Sequence, residues 1–264
     1  MNFDQILENL ELGLIDTEFE YLEKTIEKLI NSYLQNFQEE DDKFKQAIDE
    51  LRQSGEYNEL LEPDHSKDIT YGQMMEYQLS EPFNDLENFS SIIIESLLIK
   101  HLAYIERFLV KLSFLVQKKE KQIIPPNQNI SGVFTDMLKA VEYINLVTQG
   151  GIKVKETKSW KIIKLLRTLR HQLAHGERSF ILKEGVVEDI NREISIVKKG
   201  SKVLNNSSLG LAQAAYEASQ QVITPKTEWH CTIGDDINIL KELNKICMDF
   251  IKDVKELFHK KYSS

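Results

Sequence analysis

Two cysteines, Cys231 and Cys247, are all the thiols in 264 residues. That is too few for a disulfide scaffold, so a reducing compartment is expected, with the cytoplasm as the default. Paired Cys-x-x-Cys, a glycine-rich phosphate loop and a Ser-His-Asp arrangement are all missing, which removes three common routes to metal, nucleotide or acyl chemistry. The opening stretch MNFDQILENLELGL has neither a basic n-region nor a continuous apolar core, and is not expected to act as a signal peptide. Long uncharged apolar runs are absent as well. The most apolar stretch, Ser90 to Val116, could span a bilayer by length but carries Glu95, Lys100, His101, Glu106, Arg107 and Lys111. It therefore predicts a buried helix and no membrane association.

What is present is an ordinary globular balance, 41% hydrophobic and 28% charged, with an uneven distribution of charge. Residues 1–87 hold 23 acidic against 6 basic side chains, a net −17, which leaves +8 for the remaining 177 residues. Gly151 to Arg178 alone carries +6. An acidic region thus precedes a basic one, and local cations survive despite the overall charge of −9. The acidic region has two readings beyond a solvated face: a cover for the basic site or a docking surface for a partner.

Helical periodicity dominates. Phe19, Leu22, Ile26, Leu29, Ile30 and Leu34 predict a helix over 3–38, with a continuation or restart over 43–51 after the acidic run at 39–42. Residues 56–80 read as loop-rich. After Pro82 the pattern predicts a long central helix over about 85–121, and Pro125-Pro126 a firm break. An amphipathic helix over 133–147 is closed by Gly150-Gly151. A final helix over 235–262 repeats Ile239, Leu243, Ile246, Phe250, Val254 and Leu257. Between them, Phe180–Leu182 and Ile194–Val197 are expected to pair as short strands, with Lys198-Lys199-Gly200 as a turn; 209–222 reads as a helix, and Trp229–Ile233 as a strand. The expectation is a mainly α protein with an acidic helical N-terminal region over 1–82, a helical bundle over 83–264, and a small β insertion over about 177–234.

The chemistry concentrates on Lys161 to Glu177, KIIKLLRTLRHQLAHGE. At about 100° per residue, Ile162, Leu165, Leu166, Leu169 and Leu173 make one apolar face, while Arg167, Arg170, His171 and His175 share the opposite arc. Thr157 or Ser159 is the expected N-cap, and Gly176 supplies a C-terminal stop. A basic face with histidines near a helix C-terminus is also what the helix dipole favours on structural grounds alone.

The order Arg170, a polar residue, three more, then His175, in RHQLAHG, resembles the Arg-x4-His signature of HEPN domains. These are helical bundles often found as metal-independent ribonucleases in toxin and anti-phage systems. The resemblance covers one helix closely and about 180 residues loosely. It implies an endoribonuclease with RNA as substrate, no cofactor and no metal. It also implies a homodimer in which two motif helices form a composite site, and a cognate antitoxin or regulatory partner. Arg170 and His175 match the signature, His171 its polar position, and Glu106 the acidic residue that some members add from an upstream helix. Glu106 has a plainer reading too, an ion pair with Arg107 or Lys111, or simple exposure.

RNA cleavage without a metal needs a base for the 2′-hydroxyl proton, a cation for the phosphorane and an acid for the departing 5′-oxygen. Histidine suits proton transfer near neutral pH, and a guanidinium suits bidentate phosphate binding. Arg170 and His175 lie about 140° apart around one helix, a poor pocket for a single copy. Arg167, Lys164 and Arg178 are the candidate RNA-backbone contacts. Two readings compete. His171 and His175 at i and i+4 could ligate a metal with His230, although Gln172 stands where the HExxH pattern needs glutamate. Alternatively, the chain is a non-catalytic RNA-binding or partner-binding helical protein.

Overall fold

The computed structural model describes residues 3–59, 69–121, 136–174, 179–203 and 227–262. Of these, 79% are helical, in six helices accompanied by one small three-stranded sheet, so the chain is mainly α as its periodicity predicts. No helix among the described residues is long and apolar enough to cross a membrane.

Helix α1 (Phe3–Ser54) buries Phe19, Leu22, Ile26 and Ile30, each stabilised by about 1.5–3 kcal/mol through removal from water. Leu34, at the end of the predicted stripe, is exposed instead. The acidic run does not interrupt the helix. Gln35 and Gln38 donate side-chain hydrogen bonds to Glu39 and Asp42, and Lys43 and Lys45 pair with Glu40 and Asp41. These contacts, three or four residues apart, offset the repulsion.

Helix α2 (Tyr71–Glu120) begins well before Pro82. Thr70 and Gln73 close a capping box, each side chain accepting from the other's backbone N–H. Pro82 removes one helical hydrogen bond, to the Gln78 carbonyl. Both residues are exposed, so water can take the donor's place and the helix continues. The boundary expected at residue 82 therefore falls inside a helix. The α1 stripe also belongs to the same apolar cluster as the buried residues of the bundle.

Helices α3 (Met137–Val147) and α4 (Trp160–Ala174) are joined through Gln149 and Gly150, both at positive φ, and a 3-10 turn at Val154–Glu156. The predicted break at Pro125-Pro126 lies outside the described residues. Helix α6 (Ile239–Tyr262) buries Ile239, Leu243, Phe250 and Val254 as expected, adding Leu240, Cys247, Ile251 and Phe258, while Ile246 and Leu257 pack only partly. Ring contacts of Phe19 with His101 and Tyr104, and of Phe37 and Phe44 with Phe83, make α1 and α2 antiparallel. Hydrogen bonds from Ser90 to the Asp235 carbonyl and from Tyr262 to Glu120 run α6 parallel to α2.

Strand β1 (Phe180–Lys183), helix α5 (Glu184–Glu193), β2 (Val197–Lys202) and β3 (Glu228–Ile233) form the insertion. The order is β1-β3-β2, all antiparallel, so the two strands expected to pair are separated by the third. The anticipated turn at Lys198-Lys199-Gly200 is part of β2. The register slips between Lys199 and Lys202, and Gly200 passes so close to the His230 carbonyl that a Cβ would sit 3.0 Å from it. Helix α5 has Val187 and Ile190 buried, a pattern too short to stand out in the sequence. The helix expected over 209–222 lies outside the described residues.

One part of the fold stands apart from the core. Beyond Ile30 on α1 and ahead of Ser90 on α2, the antiparallel pair continues as an arm in which, among the described residues, only Ile48 and Gly72 are buried. The Phe37–Phe83–Phe44 edge-on ring contacts clasp it, and near its tip the Tyr57 hydroxyl donates to Glu76. A side chain at Gly72 would run into the Tyr57 ring.

Candidate functional site

Helix α4 is positioned by its apolar face. Ile162, Ile163, Leu166, Leu169 and Leu173 are buried, Leu165 is partly so, and Trp160 stacks on Phe250 of α6 with ring centroids 6.0 Å apart. The Ser159 carbonyl accepts from Ile163 N–H at the first turn, which places Ser159 at the N-terminal boundary. The Thr157 hydroxyl instead donates to the Val154 carbonyl. Lys161, Lys164, Thr168 and His171 then follow one another at spacings of three and four along the exposed edge.

The two arginines of the polar arc each meet a carboxylate from elsewhere in the chain. Arg167 Nη2 lies 2.7 Å from Asp136 Oδ2 and Arg170 Nη1 lies 2.7 Å from Glu106 Oε2. Asp136 is the N-cap of α3 and accepts from the N–H groups of Leu138 and Lys139. Burial opposes its ionisation, but the Lys139 donor, Arg167 and the Leu138 donor together outweigh that cost and hold the carboxyl below its usual range. Arg167, expected to track RNA, is thus held by a carboxylate of its own chain and is only partly exposed.

Glu106 comes from the middle of α2. Its plainer readings are an ion pair with Arg107 or Lys111, or simple exposure; Arg107 pairs instead with Glu18 of α1, and Glu106 meets Arg170. The Arg170 and Glu106 side chains are 29% and 23% exposed, enough for a ligand to reach them and enough burial for the pair to be ordered. Arg170 keeps further N–H donors beyond the one at Glu106, since a guanidinium carries five.

Of the four candidate catalytic residues, the structure brings Arg170 and Glu106 into contact and places His171 exposed one residue further along. His175, the candidate RNA contact Arg178 and the expected stop Gly176 lie outside the described residues. Lys164 is exposed on the His171 edge, about two turns nearer the helix start. Lys161 pairs with Asp189 of α5 at 3.1 Å. His230, offered as a third metal ligand, is exposed on β3, and among the described residues no three His, Cys, Asp or Glu side chains converge on a cation position. Asp136 was missed in the sequence. Its signal was an aspartate directly ahead of the apolar helix beginning Met137-Leu138, the usual place for an N-cap.

Two histidines can be contrasted. His171 is at the surface. His101 is fully buried on α2 against α6, with Nδ1 2.6 Å from the Leu97 carbonyl and Nε2 3.1 Å from Asn244 Oδ1. Burial holds its pKa below the usual histidine value. A neutral ring donating to Leu97 leaves Nε2 as an acceptor, satisfied when Asn244 turns its NH2 toward it. This is a histidine used to knit the core. Comparison with protein-family models, with curated proteins and with solved structures returns no match, so likeness assigns no family.

Proposed function

We propose that this chain is a metal-independent endoribonuclease of the cytoplasm that cleaves RNA through attack of a 2′-hydroxyl on the adjacent phosphate, in the setting of a toxin or anti-phage effector. The observation that supports it most is the Arg170–Glu106 contact at 2.7 Å. It joins the arginine of the Arg-x4-His motif to the one upstream acidic residue singled out beside it, at a ligand-accessible position next to His171.

In this reading Arg170 uses its remaining donors to hold the scissile phosphate and to stabilise the negative charge that builds on the phosphorane. His175 takes the 2′-hydroxyl proton or delivers one to the leaving 5′-oxygen, and the matching task falls to the partner copy's motif. The 2′-oxygen bonds to phosphorus as the bond to the 5′-oxygen breaks, giving a 2′,3′-cyclic phosphate and a 5′-hydroxyl. Glu106 orients Arg170, and His171 positions the substrate. Two copies with motif helices facing across a two-fold axis supply the second Arg and His that one helix cannot bring round. The test is incubation of purified protein with RNA in EDTA. Cleavage with cyclic-phosphate ends, lost in Arg170→Ala and His175→Ala, is expected; cleavage that requires added metal overturns the reading.

A second reading, a non-catalytic RNA-binding protein, is favoured by the same pair seen differently. Glu106 and Asp136 already offset the charges of Arg170 and Arg167, as suits a binding face tuned in strength. Salt-sensitive RNA binding without turnover would select it.

A further inference from the structure

The arm formed by α1 and α2 carries a surface that the proposed nuclease site does not use. Its described residues, 31–59 and 69–89, include twelve Asp or Glu and three Lys or Arg, a net −9. Apolar side chains that would normally be sheltered stand open on it or at its base: Leu34 is 47% exposed, Tyr77 73% and Phe89 54%. Between the two helices lies a groove lined by Asn36, Glu39 and Glu40 of α1 and by Pro82, Asp85, Leu86 and Phe89 of α2, with no cationic side chain among them. Gln35 steadies Glu39 with a hydrogen bond and Lys43 pairs with Glu40 from outside the groove.

The placement of the arm also decides what the groove can serve. Leu86 precedes Glu106 by 20 residues on the same helix, a separation of about 30 Å. The arm therefore extends away from Arg170, and its described residues, 31–59 and 69–89, do not lie over that side chain within one molecule. A groove between two antiparallel helices accepts a third helix that sets apolar residues at i, i+3 or i+4 and i+7 against Leu86 and Phe89. The carboxylates of Glu39, Glu40 and Asp85 select flanking Lys or Arg and repel nucleic acid.

We infer that this groove docks a cationic amphipathic helix of a partner protein. The arm is a recognition element, and the partner is chosen by apolar residues that cover Leu86 and Phe89 and by basic residues that meet Glu39, Glu40 and Asp85. This does not rest on the nuclease reading, and either can fail without the other.

The test uses the full chain and two labelled synthetic peptides with the same leucine pattern, one with lysines and one with glutamates at the polar positions, followed by fluorescence anisotropy. The lysine peptide is expected to bind and the glutamate peptide not. Glu39→Lys/Glu40→Lys/Asp85→Lys and, separately, Phe89→Ser are each expected to weaken binding about tenfold or more while circular dichroism is unchanged. These substitutions fall on largely exposed positions, and Phe89→Ser tests the groove even if the charge reversal perturbs the helix. Binding indifferent to either variant, or no binding of the lysine peptide, overturns the proposal. So does sedimentation showing that the wild type self-associates and the charge reversal abolishes it, because a second copy would then fill the groove.

Discussion

Glu106 and Arg170 stand 64 residues apart in the chain and 2.7 Å apart in space, with α2 and α4 each holding one side of the pair. A partly buried charge-assisted contact of this kind contributes on the order of 1 kcal/mol to stability, a modest amount. If its purpose were only structural, replacing Glu106 would cost little. If it orients the phosphate-binding guanidinium, activity should suffer far more than folding.

Glu106→Gln is accordingly expected to reduce RNA cleavage by about tenfold or more while moving the unfolding free energy by about 1 kcal/mol or less. Arg170→Ala should remove cleavage altogether, and the double variant should be no worse than Arg170→Ala alone, since the two groups act as one unit. Single-turnover cleavage beside urea unfolding reads both quantities. Equal, additive losses in activity would separate the two residues.

His175→Ala is expected to abolish cleavage, and His171→Ala to slow it without abolishing it, because the first is assigned proton transfer and the second positioning. A pH–rate profile for His171→Ala that keeps the wild-type limbs, with a lower plateau, would fit this division. Loss of one limb in His171→Ala would exchange the two roles.

Asp136 does two things at once, capping α3 and pairing with Arg167. Asp136→Ala should cost about 1–2 kcal/mol, and Asp136→Asn less, since an amide oxygen can still cap. The folded-state pKa of Asp136 is depressed. Its ionic contribution is therefore full above the unfolded carboxylate pKa of about 3.9 and is lost as pH falls through the lower folded value. The stability gap between wild type and Asp136→Asn should close on acidification below about pH 4 in denaturant titrations.

His101 gives a pH dependence in a different window. Burial lowers its folded pKa, so below the unfolded value of about 6.5 the unfolded chain takes up a proton that the folded one refuses. Stability should fall as pH drops from about 7 to 5, by up to about 1.4 kcal/mol per unit. His101→Gln should be less stable at neutral pH and flatter across this range, measured by urea midpoints. An equally steep variant would place the dependence elsewhere.

The bundle was legible because long stripes at three- and four-residue spacing admit few alternatives, as in α4 and α6. Where local signals competed, the sequence misled. Pro82 reads as a break, yet in an exposed position its missing donor is replaced by water, and the true start of α2 was marked by Thr70 and Gln73. The sheet order was not readable, because the pairing of β1 and β2 with β3 depends on a strand that begins at Glu228, 26 residues after β2 ends at Lys202, rather than on any turn between neighbours. At the site, the residue types were plain in RHQLAHG, but no rule of spacing could show that Glu106 would reach Arg170 or that Arg167 would be taken by Asp136. Those pairings follow from how α2, α3 and α4 pack.

Cys231 in β3 and Cys247 in α6 are both free and buried, with burial pushing each thiol up from its ordinary pKa. Neither can meet an alkylating reagent until the chain around it opens, and the two sit in different structural units. The molecule thus carries two native clocks. Peptide-resolved labelling rates would show whether the small sheet loosens before the helical core or whether both are released together.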